Sequence, residues 1–301
     1  MSAEGEEAQA AVTESIHRLQ ELEAMVSFEE PDSDLNRLVE AAGKDFVPLH
    51  PEIYALLAVS QEYSRQSDGA WDVTAAPLVE LWGIGTAKAR VPAPQEIEQA
   101  KALVGWPKLL LRSDDNSAML TEPGMKLDLG GIMKGLAIDE ARKIYERHGI
   151  TRGLINLGTS SLYAVGSRAD GSPWRIGLRR PEGDDPKDYW GVVNLREAAL
   201  STSGDYERFF TADGERYHHI IDPRAGYPAK TNLTAVTIVV QSGETAGMRS
   251  DLLSTLVFVM GAEAGEKFLR QLPYSVQGVL LLENGRQVVI GDLPLEMKSR
   301  P

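Results

Sequence analysis

Two short turns constrain this chain more than any other feature. Asp213-Gly214 joins the runs ERFFTA and RYHHIID, and Asn284-Gly285 lies inside VLLLENGRQVVIG. Such pairs suit hairpin turns with positive φ, so each makes its flanking runs antiparallel neighbours. Other short β runs are LLLRS and AMLT about the turn Asp115-Asn116, then MKLDL, GLINLG, SLYAVGS, WRIGLRR and WGVVNL. TAVTIVVQ is the most β-branched of all. Helical spacing is confined to other stretches. Val12, Ile16, Leu19, Leu22 and Met25 make an opening amphipathic helix, and a second one follows Pro51, with Ile53, Leu56, Leu57 and Tyr63 on one side and a stop at Asp68-Gly69. Residues from Ala70 to Pro94 read as a loop, followed by a short helix over 97–104. Further helices are expected over 131–148, 245–260 and 262–272. Helices gather at the front while hairpins dominate the middle and end. The pattern predicts an α+β fold with largely antiparallel or mixed sheets and flanking helices, not a doubly wound parallel sheet.

No fixed-period repeat or long linker cuts the chain, so residues 1–301 are expected to form a single domain; EGDDPKD, over 182–188, reads as an exposed loop between strands. The 31 Lys and Arg against 44 Asp and Glu give a net charge of −13, which repels a phosphate backbone and argues against nucleic-acid partners. With no Cys, thiolate metal sites, disulfides and a Cys nucleophile are excluded. The first ten residues carry three Glu and no apolar run, so no export signal is read and a cytoplasmic location is expected, or an extracytoplasmic one for a trimmed chain. The longest apolar stretch, from Leu252 to Ala262, is about half of the roughly 20 residues a bilayer span needs, so no membrane span is expected.

Three stretches can carry chemistry. In MKLDLGGIMKGLAIDEA a β run meets Gly130-Gly131 and a helix with Lys134 in its first turn. Unpaired helix-start amides, the dipole and a lysine suit an anion. A strand-to-helix turn that simply needs glycine has the same pattern. Asp128 can accept bonds from a ligand or from backbone. In TAGMRSDLLSTLVFVMG, Asp251 and Thr255 lie four apart on one helical face, and a carboxylate with a hydroxyl suits Mg²⁺; an ordinary first-turn Asp and a core-edge Thr would look alike. In RYHHIIDPRAGYPA, His218 and His219 alternate, so at most one faces a given cleft. No dinucleotide fingerprint, phosphate loop, zinc HExxH pair or GxSxG elbow occurs.

The ordered segments MVSFEEPDSDLNRL, GAWDVTAAPLVELWGIG, KLDLGGIMKGLAIDEA, LINLG, STSGDYERFF, YHHIIDPRAGYP and SDLLSTLVFVMG resemble the ApbE family of flavin transferases across nearly the whole chain. The resemblance implies a two-lobed α+β fold with a dinucleotide between the lobes. It implies Mg²⁺-dependent transfer of FMN from FAD to a Ser or Thr hydroxyl of a flavin-acceptor protein, with AMP released. Carried over by position, Phe28, Ala70, Trp71, Asp72, Asp128 and Lys134 would bind the flavin nucleotide. The Gly131 carbonyl, Asp251 and Thr255 would hold the metal. Asp251 would thereby serve catalysis, and His219 would take the acceptor's proton. The resemblance begins after the Met-Gly-Thr strand with which members commonly open. Val39 replaces a frequent Asn, Thr159 a frequent Gly, and Ala225 a frequent Thr. Two alternatives stay open: hydrolysis of FAD to FMN and AMP, and a flavin-binding protein without turnover.

Overall fold

The computed structural model describes residues 1–158, 160–181, 185 and 188–298. Thr159 and most of the expected 182–188 loop lie outside the described residues. The chain is α+β, and it divides into two compact units, each assembled from separated segments.

The first unit comprises Met1–Leu19, Ile132–Tyr206 and Asn232–Pro301. Its seven-stranded antiparallel sheet runs, edge to edge, Ser2–Ala3, Arg152–Leu157, Ser161–Gly166, Ala198–Gly204, Leu233–Gln241, Val276–Leu282 and Gln287–Ile290. Alternation along these strands sends neighbouring side chains to opposite faces. Leu162, Ala164, Ala198 and Leu200 face a core with Leu178, Trp190, Val193 and Leu195 from the three-stranded sheet of Trp174–Arg179, Tyr189–Leu195 and Leu295–Met297. Ser161, Ser201 and Ser203 point the other way, to the helix Ala246–Met260. That helix packs against the helix Met133–Arg147. They are called here the Asp251 helix and the Lys134 helix.

The second unit comprises Gln20–Gly131 and Glu207–Thr231. It holds the expected Pro51–Gln66 helix, a three-stranded sheet of Val47–Pro48, Ser117–Leu120 and Leu109–Arg112, and the expected hairpin Phe209–Ala212 with Glu215–His218. The expected loop after Ala70 is corrected: Val73–Ala75 is a 3-10 turn and Ala76–Trp82 an α-helix. Pro77 fits its first turn, left-handed Gly83 closes it, and its Leu78 and Trp82 are buried with Ile84, Ile97 and Ile221. Trp82 stacks on Tyr217 at 5.4 Å and donates its indole N–H to the Gly226 carbonyl at 2.9 Å. MKLDL is also corrected. Met125, Leu127 and Leu129 are buried in alternation, as expected of a strand, but the segment pairs in no sheet. The short helix spans Pro94–Lys101, earlier than expected, and a helix Asp34–Glu40 that periodicity did not show is capped by the Ser33 hydroxyl.

Candidate active site

The Asp251 helix is buried almost all round, so its polar side chains need internal partners. Asp251 is 4% exposed. Its Oδ2 accepts the Gly135 amide at 3.0 Å, and its Oδ1 accepts the Ser161 hydroxyl at 2.9 Å. Burial pushes the carboxyl above its ordinary value, while the charge of Lys134 and these two donors pull it back. Lys134 donates to the Ser160 hydroxyl at 2.5 Å, so adjacent serines hold the ammonium and the carboxylate. One turn further on, the Thr255 hydroxyl lies 3.0 Å from that of Ser203, which is 2.8 Å from that of Ser254. Ser201 and Ser250 pair at 3.0 Å. A seam of hydroxyls thus runs between strand and helix.

This donor set fits a hard cation. A carboxylate offers about four lone-pair directions, of which the two bonds above use two. Beside it are the Ser161 hydroxyl, the Gly135 amide and the charge of Lys134, with the Thr255 hydroxyl one turn on, and among the described residues no three His, Cys, Asp or Glu side chains gather as a cluster. One carboxylate with neutral oxygens is how proteins hold Mg²⁺, which keeps several waters. Gly131 is joined to the Lys134 helix through Ile132, two positions before its first residue, Met133.

In the second unit, Phe28 is 51% exposed. The loop that carries it is tied by the Asn36 amide, which donates to the carbonyls of Phe28 at 3.0 Å and Glu30 at 2.7 Å. Ala70, Trp71 and Asp72 are buried. Trp71 donates its indole N–H to the Ser60 hydroxyl at 2.6 Å. Asp72 caps the 3-10 turn, accepting the Thr74 amide at 2.8 Å and hydroxyl at 2.7 Å, and burial pushes its carboxyl up. The Asp128 amide donates to the Val73 carbonyl at 2.7 Å, which sets Asp128 against that turn, and its side chain accepts the Gly130 amide at 2.8 Å. The two histidines differ in burial and partners. His218 is buried, bonds the Ala229 carbonyl at 3.0 Å, and is held below its ordinary pKa by desolvation. His219 lies just past the strand, half-buried, with Nδ1 at 3.2 Å from the Arg208 carbonyl.

The structure therefore joins Lys134, Asp251 and Thr255 in the first unit, and Asp72 with Asp128 in the second. Phe28 and His219 stand on other elements of the second unit. Ser161 and Asn36 were not singled out in the sequence, and the contacts that Ser160 and Ser203 make with Lys134 and Thr255 were not read from it. For Ser161 and Ser203 the signal was strand parity, which needs the strand pairing to be known first.

The ApbE family pattern matches residues 2–280. An FAD:protein FMN transferase of Treponema pallidum is 34% identical over 280 residues, covering 89% of this chain and 76% of its own. One from Klebsiella pneumoniae is 34% identical over 279 residues, covering 93% of this chain and 84% of its own. The crystal structure of an ApbE protein from Thermotoga maritima superposes with a TM-score of 0.83 at 31% identity, over 96% of this chain and 92% of that one. The apo flavinyl transferase ApbE of Pseudomonas stutzeri gives 0.80 at 29% identity, over 96% and 88%.

Proposed function

The chain belongs to the ApbE family and is a transferase, and on that premise we propose that it moves the FMN half of FAD onto a Ser or Thr hydroxyl of an acceptor protein, with Mg²⁺ bound and AMP released. The observation that carries this reading is the buried Asp251 carboxylate, bonded to the Ser161 hydroxyl and the Gly135 amide with Lys134 beside it.

The acceptor oxygen attacks the phosphorus on the FMN side of the diphosphate. A new P–O bond forms as the bond to the AMP oxygen breaks, and the hydroxyl proton passes to a base. Such a reaction needs positioning and charge neutralisation more than covalent help. Lys134, in the first turn of its helix, brings a positive charge to a helix start, whose dipole also favours phosphate. Mg²⁺ held by Asp251, Thr255 and the Gly131 carbonyl would polarise the phosphorus and neutralise charge on the departing nucleotide. His219 is the proposed base. A carbonyl can only accept, so its Nδ1 donates to Arg208, which in the neutral ring leaves the lone pair on Nε2. Phe28, Ala70, Trp71, Asp72 and Asp128 would receive the flavin nucleotide, with Phe28 offering the exposed ring.

The test is incubation with FAD, Mg²⁺ and a flavin-acceptor protein, followed by intact mass and nucleotide analysis. The expected result is an acceptor heavier by one FMN residue and an equal amount of AMP. Free FMN and AMP without an adduct would mean hydrolysis. FAD binding with neither product would mean a flavin-binding protein without turnover.

A further inference from the structure

The two helices that carry Lys134 and Asp251 share a pattern, Gly135-x-x-x-Asp139 on one and Gly247-x-x-x-Asp251 on the other. The structure sets the two patterns against each other. Asp251 accepts the Gly135 amide at 3.0 Å; in return Asp139 accepts the Gly247 amide at 2.7 Å and the Met248 amide at 2.9 Å. The glycines make the crossing possible. A Cβ on Gly135 would stand 2.4 Å from the Gly247 carbonyl oxygen, and one on Gly247 would stand 2.4 Å from that of Gly135.

Helix-start amides have no intrahelical acceptor, and the positive end of the dipole favours a carboxylate there. Neither helix caps itself with a side chain: the N-cap residues Ile132 and Thr245 make no such bond. Each start is served instead by an aspartate of the neighbouring helix, one turn past that helix's own glycine. The two aspartates differ in one respect. Asp251 gives one oxygen to the clasp and one to Ser161, whereas Asp139, 1% exposed, gives both to the clasp. Burial pushes the Asp139 carboxyl up to about 7 against the pull of the two amides and of Arg142 and Lys143.

We propose that Asp139 is a positioning residue for the transfer reaction: by clasping the start of the Asp251 helix, it sets Asp251 and Thr255 for the metal without touching it. This rests on the proposed function above, in which those two residues hold Mg²⁺. A cap that served folding alone would raise melting temperature and leave metal affinity unchanged. A positioning residue changes affinity, as partners behind metal ligands do.

The test is the Mg²⁺-induced rise in melting temperature of the full chain with FAD, taken at about pH 8, where the Asp139 carboxyl is ionised. Asp139→Asn keeps the size but turns an NH₂ towards one of two amides that need an acceptor. The half-saturating Mg²⁺ concentration is expected to rise about 10- to 100-fold, while metal-free FAD binding, followed by flavin fluorescence, stays at the wild-type value. Asp139→Ser, a smaller side chain with one acceptor oxygen, reads the same shift should Asn not fold. Wild-type half-saturation in a variant that merely melts earlier would overturn the proposal, as would failure of both variants to fold. Absence of any Mg²⁺ response in the wild type would instead overturn the metal reading on which the proposal stands.

Discussion

The proposed metal end and the proposed flavin end of the reaction are built differently. In the first unit, Asp251 is buried with both oxygens bonded, Lys134 is anchored to Ser160, and Thr255 belongs to a hydroxyl seam. In the second unit, Trp71 and Asp72 are buried and bonded, but Phe28 is 51% exposed and its loop is tied through backbone carbonyls by Asn36. The groups proposed for phosphate chemistry are thus fixed in advance, as electrostatic stabilisation requires. The ring proposed to meet the flavin is not enclosed. Rate should therefore depend on the first unit's polar contacts together with His219, and nucleotide affinity on the second unit's aromatic surface.

That contrast can be broken in graded steps. The largest effect on folding is expected in the second unit: Trp82→Ala removes a fully buried indole and its bond to Gly226, and should cost about 3–5 kcal/mol in denaturant unfolding. Gly135→Ala comes next. Its methyl would meet the Gly247 carbonyl at 2.4 Å, so the helices must part, at about 1–3 kcal/mol in thermal melting and with loss of turnover. Phe28→Ala should leave kcat and stability unchanged and raise the KM for FAD by about fivefold, since a stacked ring is worth about 1 kcal/mol. An unchanged KM would show that the exposed ring does not meet the flavin.

The smallest effect is expected at the surface of the first unit, where His148 Nε2 lies 2.6 Å from Glu14. The bond to Glu14 raises the His148 pKa, so its stabilisation is complete below the ordinary value near 6.5 and is lost as pH rises through the raised one. The melting difference between wild type and His148→Ala should therefore shrink from about pH 5 to about pH 9. Surface pairs of this kind weaken with salt, which the buried clasp should not.

Much of this architecture was legible in residue order. The hairpins at Asp213-Gly214 and Asn284-Gly285 form as expected, because the turn chemistry that specifies them is local. The Asp251–Thr255 spacing was legible for the same reason. MKLDL misled because burial in alternation needs only an extended chain with one face inward, whereas a strand also needs a partner, and this segment's Asp128 amide goes to Val73. Ala76–Trp82 was hidden by the small residues before it and by its length of seven residues. The clasp was beyond local reading. Gly135 and Asp251 are 116 positions apart, and the two G-x-x-x-D patterns acquire meaning only when the helices cross.

The most direct test of the central claim, that Asp251 holds the Mg²⁺ on which FMN transfer depends, is a Mg²⁺ titration of wild type and Asp251→Ala with FAD and an acceptor protein. Acceptor mass and AMP are read together. Adduct and AMP should appear in equal amounts in the wild type only when Mg²⁺ is present, and turnover of the variant should fall by about 100-fold or more while FAD still binds. Equal turnover of the two proteins at the same Mg²⁺ concentration would contradict the account.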